Sequence, residues 1–233
     1  MRITGTGRRI PRVVAGVALG VAVAACSASA QTPAGAAVDM AQATPAAEDA
    51  AQEDAWSFSA SAYAYILADD RNYVQPAATA DRGWLHLEAR FNYEDRDTGS
   101  AWLGYNFSVG ERLTLEITPM VGAVFGNTTG FAPGYRGSLG WRALEFYTET
   151  EYVFDTGDSA DSFLYTWSEL ALAPADWCRF GLAVQRTKAY KTEFDIQRGF
   201  LAGLSYKGLD VTAYVFNPDA SRPTVVLGVV AGF

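Results

Sequence analysis

The chain has 233 residues, 49% of them hydrophobic and 19% charged, with 26 acidic against 18 basic side chains and a formal net charge of −8. That length suits one domain plus leader segments. The acidic balance excludes the basic footprint of a nucleic-acid-binding protein.

Residues 1–30 read as a signal peptide: Arg2, Arg8, Arg9 and Arg12 form a basic start, and Val13 to Ala25 is a short apolar run too poor in bulky residues to span a membrane as a helix. Two processing sites compete. Ala28-Ser29-Ala30 before Gln31 follows the small-x-small rule, whereas Val23-Ala24-Ala25-Cys26 resembles a lipoprotein box that would lipidate Cys26. Arg8-Arg9 lacks the rest of a twin-arginine pattern. Four basic residues and no acidic ones precede Gln31, so cleavage there leaves a net charge of −12 and one cysteine, Cys178. A lone cysteine makes no internal disulfide and no cysteine metal cluster, and is expected as a small apolar wall residue. Residues 31–53, rich in Ala, Pro, Gln, Glu and Asp, read as a flexible leader, and residues 54–233 as the folded domain. No stretch after residue 30 has the apolar length of a spanning helix, so any membrane entry must be through strands.

From residue 55 the hydropathy alternates with period two, the signature of strands apolar on one face and polar on the other. Segment 55–67 aligns Trp56, Phe58, Ala60, Ala62, Ala64 and Ile66; segment 71–80 is weaker and holds Pro76, which cannot donate to a ladder. In 84–93, Leu85, Leu87, Ala89, Phe91 and Tyr93 oppose Trp84, His86, Glu88, Arg90 and Asn92. Residues 100–109 set Ala101, Leu103, Tyr105, Phe107 and Val109 against Ser100, Trp102, Gly104, Asn106 and Ser108. The pattern continues through 112–125, 135–142, 143–154, 163–173, 177–187, 197–206, 209–216 and 223–233. The connections alternate long and short, from ADDRN and DRG to KG and NPDASRP, with GNTTGFAPG among the long ones. Such alternation predicts an all-β, antiparallel, up-and-down barrel of about twelve strands, with ten as the alternative. A soluble sandwich or lipocalin-like barrel shares the periodicity. Against it stand the export leader and aromatics near strand ends on the apolar face, at Phe91, Tyr93, Phe125, Tyr135, Trp141, Tyr152, Phe154 and Tyr206, as expected of girdles at two lipid–water interfaces.

The last residues, VVLGVVAGF, end on Phe233 after alternating apolar positions. This segment resembles the C-terminal strand of bacterial outer-membrane β-barrel proteins. The resemblance covers roughly residues 55–233 and reaches no subfamily. It implies a transmembrane barrel in the outer membrane of a Gram-negative bacterium, with residues 31–53 in the periplasm. It also implies contact with membrane lipid and lipopolysaccharide, and Phe233 as an insertion signal read by the barrel-insertion machinery.

In such a barrel the polar parity faces the lumen. It carries His86, Glu88, Arg90, Glu116, Arg136, Glu145, Glu149, Glu151, Glu169, Arg179 and Asp210. These residues either line a pore that selects by charge or pair into a network that fills it. Arg136 and Glu149 are expected to face each other across the WR turn, and Glu169 and Arg179 across PAD. Glu145, Glu149 and Glu151 form an acidic stripe on one strand, which suggests a preference for cationic solutes. No long loop offers itself as a plug. Arg186 and Arg198 continue the outward parity near the loop ends of adjacent strands and are candidates for contact with lipid phosphate.

Loop aspartates Asp69, Asp70, Asp95, Asp97, Asp155, Asp158 and Asp161 lack the spacing of a calcium loop, so no metal site and no cofactor is expected. The leading expectation is a small porin-like channel for ions or small cationic solutes. The alternatives are a non-conducting structural or adhesive barrel, and an outer-membrane hydrolase. His86 is the single histidine and has no serine nearby with a nucleophile signature, so no catalytic residues are assigned.

Overall fold

The computed structural model describes residues 55–68, 70–110, 112–157, 162–186 and 196–233. The signal peptide, the whole of the leader, and Asp69, Asp158 and Asp161 lie outside them. Thirteen strands follow in chain order: β1 (Ser57–Ile66), β2 (Tyr73–Arg82), β3 (Leu85–Phe91), β4 (Thr98–Tyr105), β5 (Phe107–Val109), β6 (Leu113–Gly126), β7 (Gly130–Trp141), β8 (Leu144–Asp155), β9 (Phe163–Ala175), β10 (Cys178–Arg186), β11 (Gln197–Tyr206), β12 (Leu209–Phe216) and β13 (Thr224–Gly232). No helix occurs among the described residues.

Each strand pairs antiparallel with its neighbours, and β1 closes the ring on β13 from Ser59 opposite Gly232 to Ile66 opposite Val225. Strands β4 and β5 hold one register against β6, with Gly104 opposite Met120 and Phe107 opposite Ile117. They are therefore a single stave broken at Asn106, whose N–H donates to the Trp84 carbonyl at 2.7 Å. The ring is a twelve-stave barrel with β5 as a short extension.

The two ends differ. At one, hairpins turn in two or three residues, at 83–84, 110–112, 142–143, 176–177 and 207–208. Lys207 and Gly208 are both left-handed, with φ of 49° and 77°, the paired geometry of a type I′ hairpin. The other end carries the longer connections, with one exception. GNTTGFAPG was expected to be a nine-residue loop, but β7 starts at Gly130 and leaves only 127–129 between strands. Phe131 draws this stretch into the wall by stacking on Phe154 at 4.8 Å. Pro133 faces Val121 of β6 and has no partner on β8, so its missing N–H removes no ladder bond there. Pro76 is tolerated on the same grounds: β2 pairs β3 only from Ala77 onward, and Pro76 faces Ala62 of β1.

The outward parity is apolar around the whole ring and in direct contact with the surroundings: Leu103 is 52% exposed, Leu182 51% and Leu204 61%. A continuous belt of this kind far exceeds the apolar patches that water-exposed monomers carry. The closed ring pairs the wall's backbone groups strand to strand, the condition for strands to cross hydrocarbon. The fold is a transmembrane β-barrel. Trp84, Tyr105 and Phe107 cluster at the turn end, with ring centroids 5.3 and 4.4 Å apart, and Phe131, Phe154 and Tyr152 cluster at the loop end.

One expected girdle residue is elsewhere. Tyr93 was placed on the apolar face by parity, but Asn92 is left-handed (φ 58°), ends β3 and swings the chain inward. Tyr93 then packs inside the barrel against Tyr165, with ring centroids 5.2 Å apart.

Leu182 lies mid-strand on the outward row of β10, opposite Leu170 and Phe200. Leu182→Arg is expected to lower unfolding stability in lipid bilayers by about 2–4 kcal/mol, measured by denaturant titration of the reconstituted barrel.

Candidate functional site: the barrel lumen

The inward parity is small and polar at the turn end and large at the loop end. Ser59, Ser61, Ala77, Thr79, Thr114, Ser138 and Gly140 leave space and line a cavity of about 570 Å³. A second cavity of about 990 Å³ lies at the turn-end mouth, beside Asp81, Trp84, His86 and Asn106, and the two share Glu116 and Arg136. Toward the loops the space shrinks to a void of about 20 Å³ between Tyr63, Tyr65, Gln75, Tyr93, Tyr147, Tyr165 and Trp167. That is close to the room one water needs. The lumen is thus a vestibule open at the turn end and a neck packed shut below the loops.

The neck is organised around Arg90, which is 4% exposed. One terminal nitrogen of its guanidinium lies 2.8 Å from Glu149 and 2.8 Å from Glu151; the other lies 2.9 Å from Glu88. Glu94 is 3.9 Å from the first of these. The guanidinium also lies over the rings of Trp102 and Tyr93, at 4.5 and 4.6 Å from their centroids, a favourable cation–π placement. Trp102 has its space because Gly122 faces it on β6: a Cβ at Gly122 would meet the indole at 2.5 Å.

Arg136 reaches both oxygens of Glu88 at 2.9 Å and lies 3.5 Å from Glu149. The Tyr147 hydroxyl donates to Glu149 at 2.8 Å. A separate cluster forms around Glu169, which pairs with Arg179 and accepts from the Trp167 indole and the Tyr214 hydroxyl, both at 2.8 Å.

All the inward residues expected from the sequence therefore have a place. Arg136 meets Glu149 from the facing position expected across the WR turn. Arg179 also meets Glu169, but not from a facing position: the ladder sets Glu169 opposite Ala183, with a register shift beside Arg179, and the long Arg179 side chain reaches along the wall. Glu88, Arg90, Glu149 and Glu151 gather in the neck. Glu116, Glu145 and Asp210 line the vestibule, and Glu116 accepts from Ser138 at 3.0 Å. His86 has Nδ1 2.7 Å from Asp81 and Nε2 3.4 Å from Glu88. Carboxylates occupy both ring nitrogens, leaving neither to activate a nucleophile.

Sequence parity missed Glu94. It follows Tyr93 through the inward bend, is completely buried, and accepts from the Ser100 hydroxyl and, at 3.3 Å, from the Trp102 indole. No long loop was expected as a plug, but the short segment 92–97 folds in and supplies two neck residues, Tyr93 and Glu94. The only signal for it was Asn92, a residue type that tolerates the left-handed conformation a sharp bend needs.

Outside the lumen, Arg198 is exposed and lies 3.9 Å from Asp219, and Arg186 ends β10. Phe233 is bound into the wall by two backbone hydrogen bonds with Phe58, at 2.9 and 3.0 Å.

Removing Arg90 leaves at least three buried carboxylates without their shared cation. Arg90→Ala is expected to cost about 3–5 kcal/mol, read as a lower thermal midpoint of the heat-modifiable band in detergent.

No protein-family model matches the sequence, and no curated protein matches it. Among solved structures, the fold matches a KdgM porin with a TM-score of 0.54 and 12% identity, over 75% of this chain and 99% of the porin. The same figures hold for a KdgM porin in complex with disordered oligogalacturonate. The outer membrane protein Omp33 of Acinetobacter baumannii aligns with a TM-score of 0.44 and 9% identity, over 76% of this chain and 98% of that one. At this level of identity the likeness to the KdgM porin is one of fold, and the chain has the architecture of a bacterial outer-membrane porin barrel.

Proposed function

We propose that the protein is a small porin-like channel of a bacterial outer membrane, passing ions and small, preferentially cationic solutes. The observation that carries this reading is the acidic vestibule within a closed transmembrane ring. Among the described residues, Glu116, Glu145, Glu169 and Asp210 line it with Arg136 and Arg179, and at its inner end Glu88 and Glu149 are held by Arg90 and Arg136. Such a surplus inside low-dielectric walls concentrates cations and repels anions. The porin fold of its neighbours supports the location and the general activity.

The packed neck favours a second reading, a non-conducting structural barrel whose charges serve to hold its walls together. The two readings differ in one measurable property, passage of ions.

The outer wall supports two further assignments. Arg198 and Arg186 stand near the loop ends of adjacent strands, where lipid and lipopolysaccharide phosphates would meet them. Phe233 closes the alternating row of β13 and would serve as the signal for insertion into the outer membrane.

The test is single-channel recording of the refolded protein under a salt gradient at neutral to alkaline pH. Discrete, cation-selective steps are expected. Reversing the exposed vestibule carboxylates together, with Glu145→Lys and Asp210→Lys, is expected to move the reversal potential toward the anion value. Unchanged selectivity would overturn the cation preference. A folded barrel that never conducts would favour the structural reading.

A further inference from the structure

The neck that separates the vestibule from the loop end is built mainly of strand residues, from β1, β2, β8 and β9. A closed antiparallel ladder fixes all of these. Among the described residues lining the void, Tyr93 alone stands outside a strand. Its segment is a compact unit. Asn92 and Asp97 flank it, both left-handed with φ of 58° and 54°, and the Asn92 N–H donates to the Thr98 carbonyl at 2.7 Å, stapling the base. Between these two points the segment has no ladder bond; Gln75 donates to the Asn92 and Tyr93 carbonyls at 2.9 and 3.4 Å, Asn127 to the Arg96 carbonyl at 3.0 Å, and the Thr128 hydroxyl to Asp95 at 3.2 Å.

The segment is held on both sides. Outward, Arg96 grips Asp70 through two contacts, at 2.8 and 3.1 Å, and lies over the Tyr73 ring at 4.9 Å. Inward, Tyr93 plugs the neck and Glu94 is sealed beneath it. Glu94 is poorly provided for. Its Oε1 takes both hydrogen bonds, and its Oε2 has no hydrogen-bond partner among the described residues. Its nearest cation, Arg90, is already engaged at 2.8 Å by Glu149 and Glu151. Around the neck, two guanidiniums (Arg90 and Arg136) face four carboxylates, Glu88, Glu94, Glu149 and Glu151. Two carboxylates are thus in excess, and Glu94 is the one of the four carried by a segment outside the strands.

We propose that segment 92–97 is the gate of this lumen and Glu94 its proton-operated latch: protonated, it keeps Tyr93 seated; ionised, it releases it. The inference rests on the channel reading above.

Protonation gives the orphaned Oε2 a hydrogen and removes one buried negative charge. The groups facing Glu94 are Arg90 from β3, Ser100 and Trp102 from β4, and Glu149 and Glu151 from β8, whose charge disfavours a further anion. Burial pushes the Glu94 carboxyl above the usual carboxylate range, opposed by the Arg90 charge and by hydrogen bonds from Ser100, from its own backbone N–H and from Trp102. A released Glu94 is in water and titrates normally. The seated form therefore binds the proton more tightly, acid favours closure, and rising pH through the raised value favours opening. Asp70 is not the sensor: hydrogen bonds from Arg96 hold it below the usual range, so it stays ionised while Glu94 titrates.

The experiment records the full processed chain in planar bilayers from about pH 4 to about pH 8, with up to about a tenfold rise in open-to-closed ratio per pH unit for one linked proton. Glu94→Gln is expected to stay closed throughout, and Tyr93→Ala to conduct at every pH. A second readout is independent of conduction. Tyr93→Cys, in a background with Cys26 and Cys178 changed to serine, is labelled by a thiol reagent in detergent. Its labelling is expected to accelerate with pH beyond the thiolate's own ionisation, and to stay slow when Glu94→Gln is added. Heat-modifiability confirms the fold of each variant.

A flat wild-type profile, or the same profile in Glu94→Gln, overturns the latch. Labelling that follows pH through Glu94 in a barrel that stays silent, Tyr93→Ala included, supports the latch and overturns the channel. Conduction with labelling indifferent to pH and to Glu94 supports the channel and overturns the latch.

Discussion

A sheet immersed in hydrocarbon cannot leave an edge, because each unpaired backbone group there costs several kcal/mol. The ladder between β1 and β13 is where this chain meets that constraint. Once it closes, the two faces of every strand acquire fixed meanings. One parity meets lipid with rows such as Leu103 and Leu182, and the other is confined to a narrow interior. The identity of each inward side chain then decides whether the interior is space, packing or charge.

That interior is graded along its axis by residue size. Near the turns, serine, threonine, alanine and glycine leave the vestibule open. Near the loops, Tyr65, Tyr165, Trp167, Tyr214 and Phe216 fill the cross-section. Carboxylates brought into that packed half lose their water, and Arg90 and Arg136 supply the compensation. A buried network of this kind adds little net stability relative to apolar packing, but removing one member exposes the others to the full desolvation cost. Its consequence is constraint: Arg90 ties β3 to β8 across the lumen through Glu149 and Glu151, elements that share no ladder.

What the sequence made legible follows the same division. Period-two rows such as Leu85, Leu87 and Ala89 told strand from loop and lipid from lumen, since alternation is a local property. Arg136–Glu149 was legible because a tight hairpin fixes the register of its own two strands. Arg179 meets Glu169 by the reach of its side chain instead, since a bulge beside it shifts the register and Glu169 stands opposite Ala183. The contacts of Arg90 with Glu149 and Glu151 were not, because residues some sixty positions apart meet only through the ring's closure and width. Tyr93 was misplaced because parity counting assumes an unbroken strand, and one left-handed residue at Asn92 breaks it. The start of β7 was set too late because Gly130 and Pro133 look like loop residues when their partners are unknown; beside β6 and β8 their losses are harmless.

The inward bend at Asn92 also explains why mobility, if this lumen is to have any, must reside there. Each stave is bonded on both sides, so displacing a strand-borne neck residue such as Tyr65 or Trp167 means breaking two ladders at once. Residues 93–96 make no ladder bond to the wall; single hydrogen bonds hold them, from Gln75 to the Tyr93 carbonyl, from Asn127 to the Arg96 carbonyl and from Ser100 and Trp102 to Glu94. The staple between Asn92 and Thr98 keeps the ring intact whichever way the turn lies. Side-chain contacts of this sort are worth far less than a ladder, and the one at Glu94 is further weakened by a carboxylate oxygen without a donor. A neck that is rigid in its wall and marginal at a single turn has its weakest contact where the charge surplus is greatest, so the state of one carboxyl group can decide between two arrangements of the same barrel.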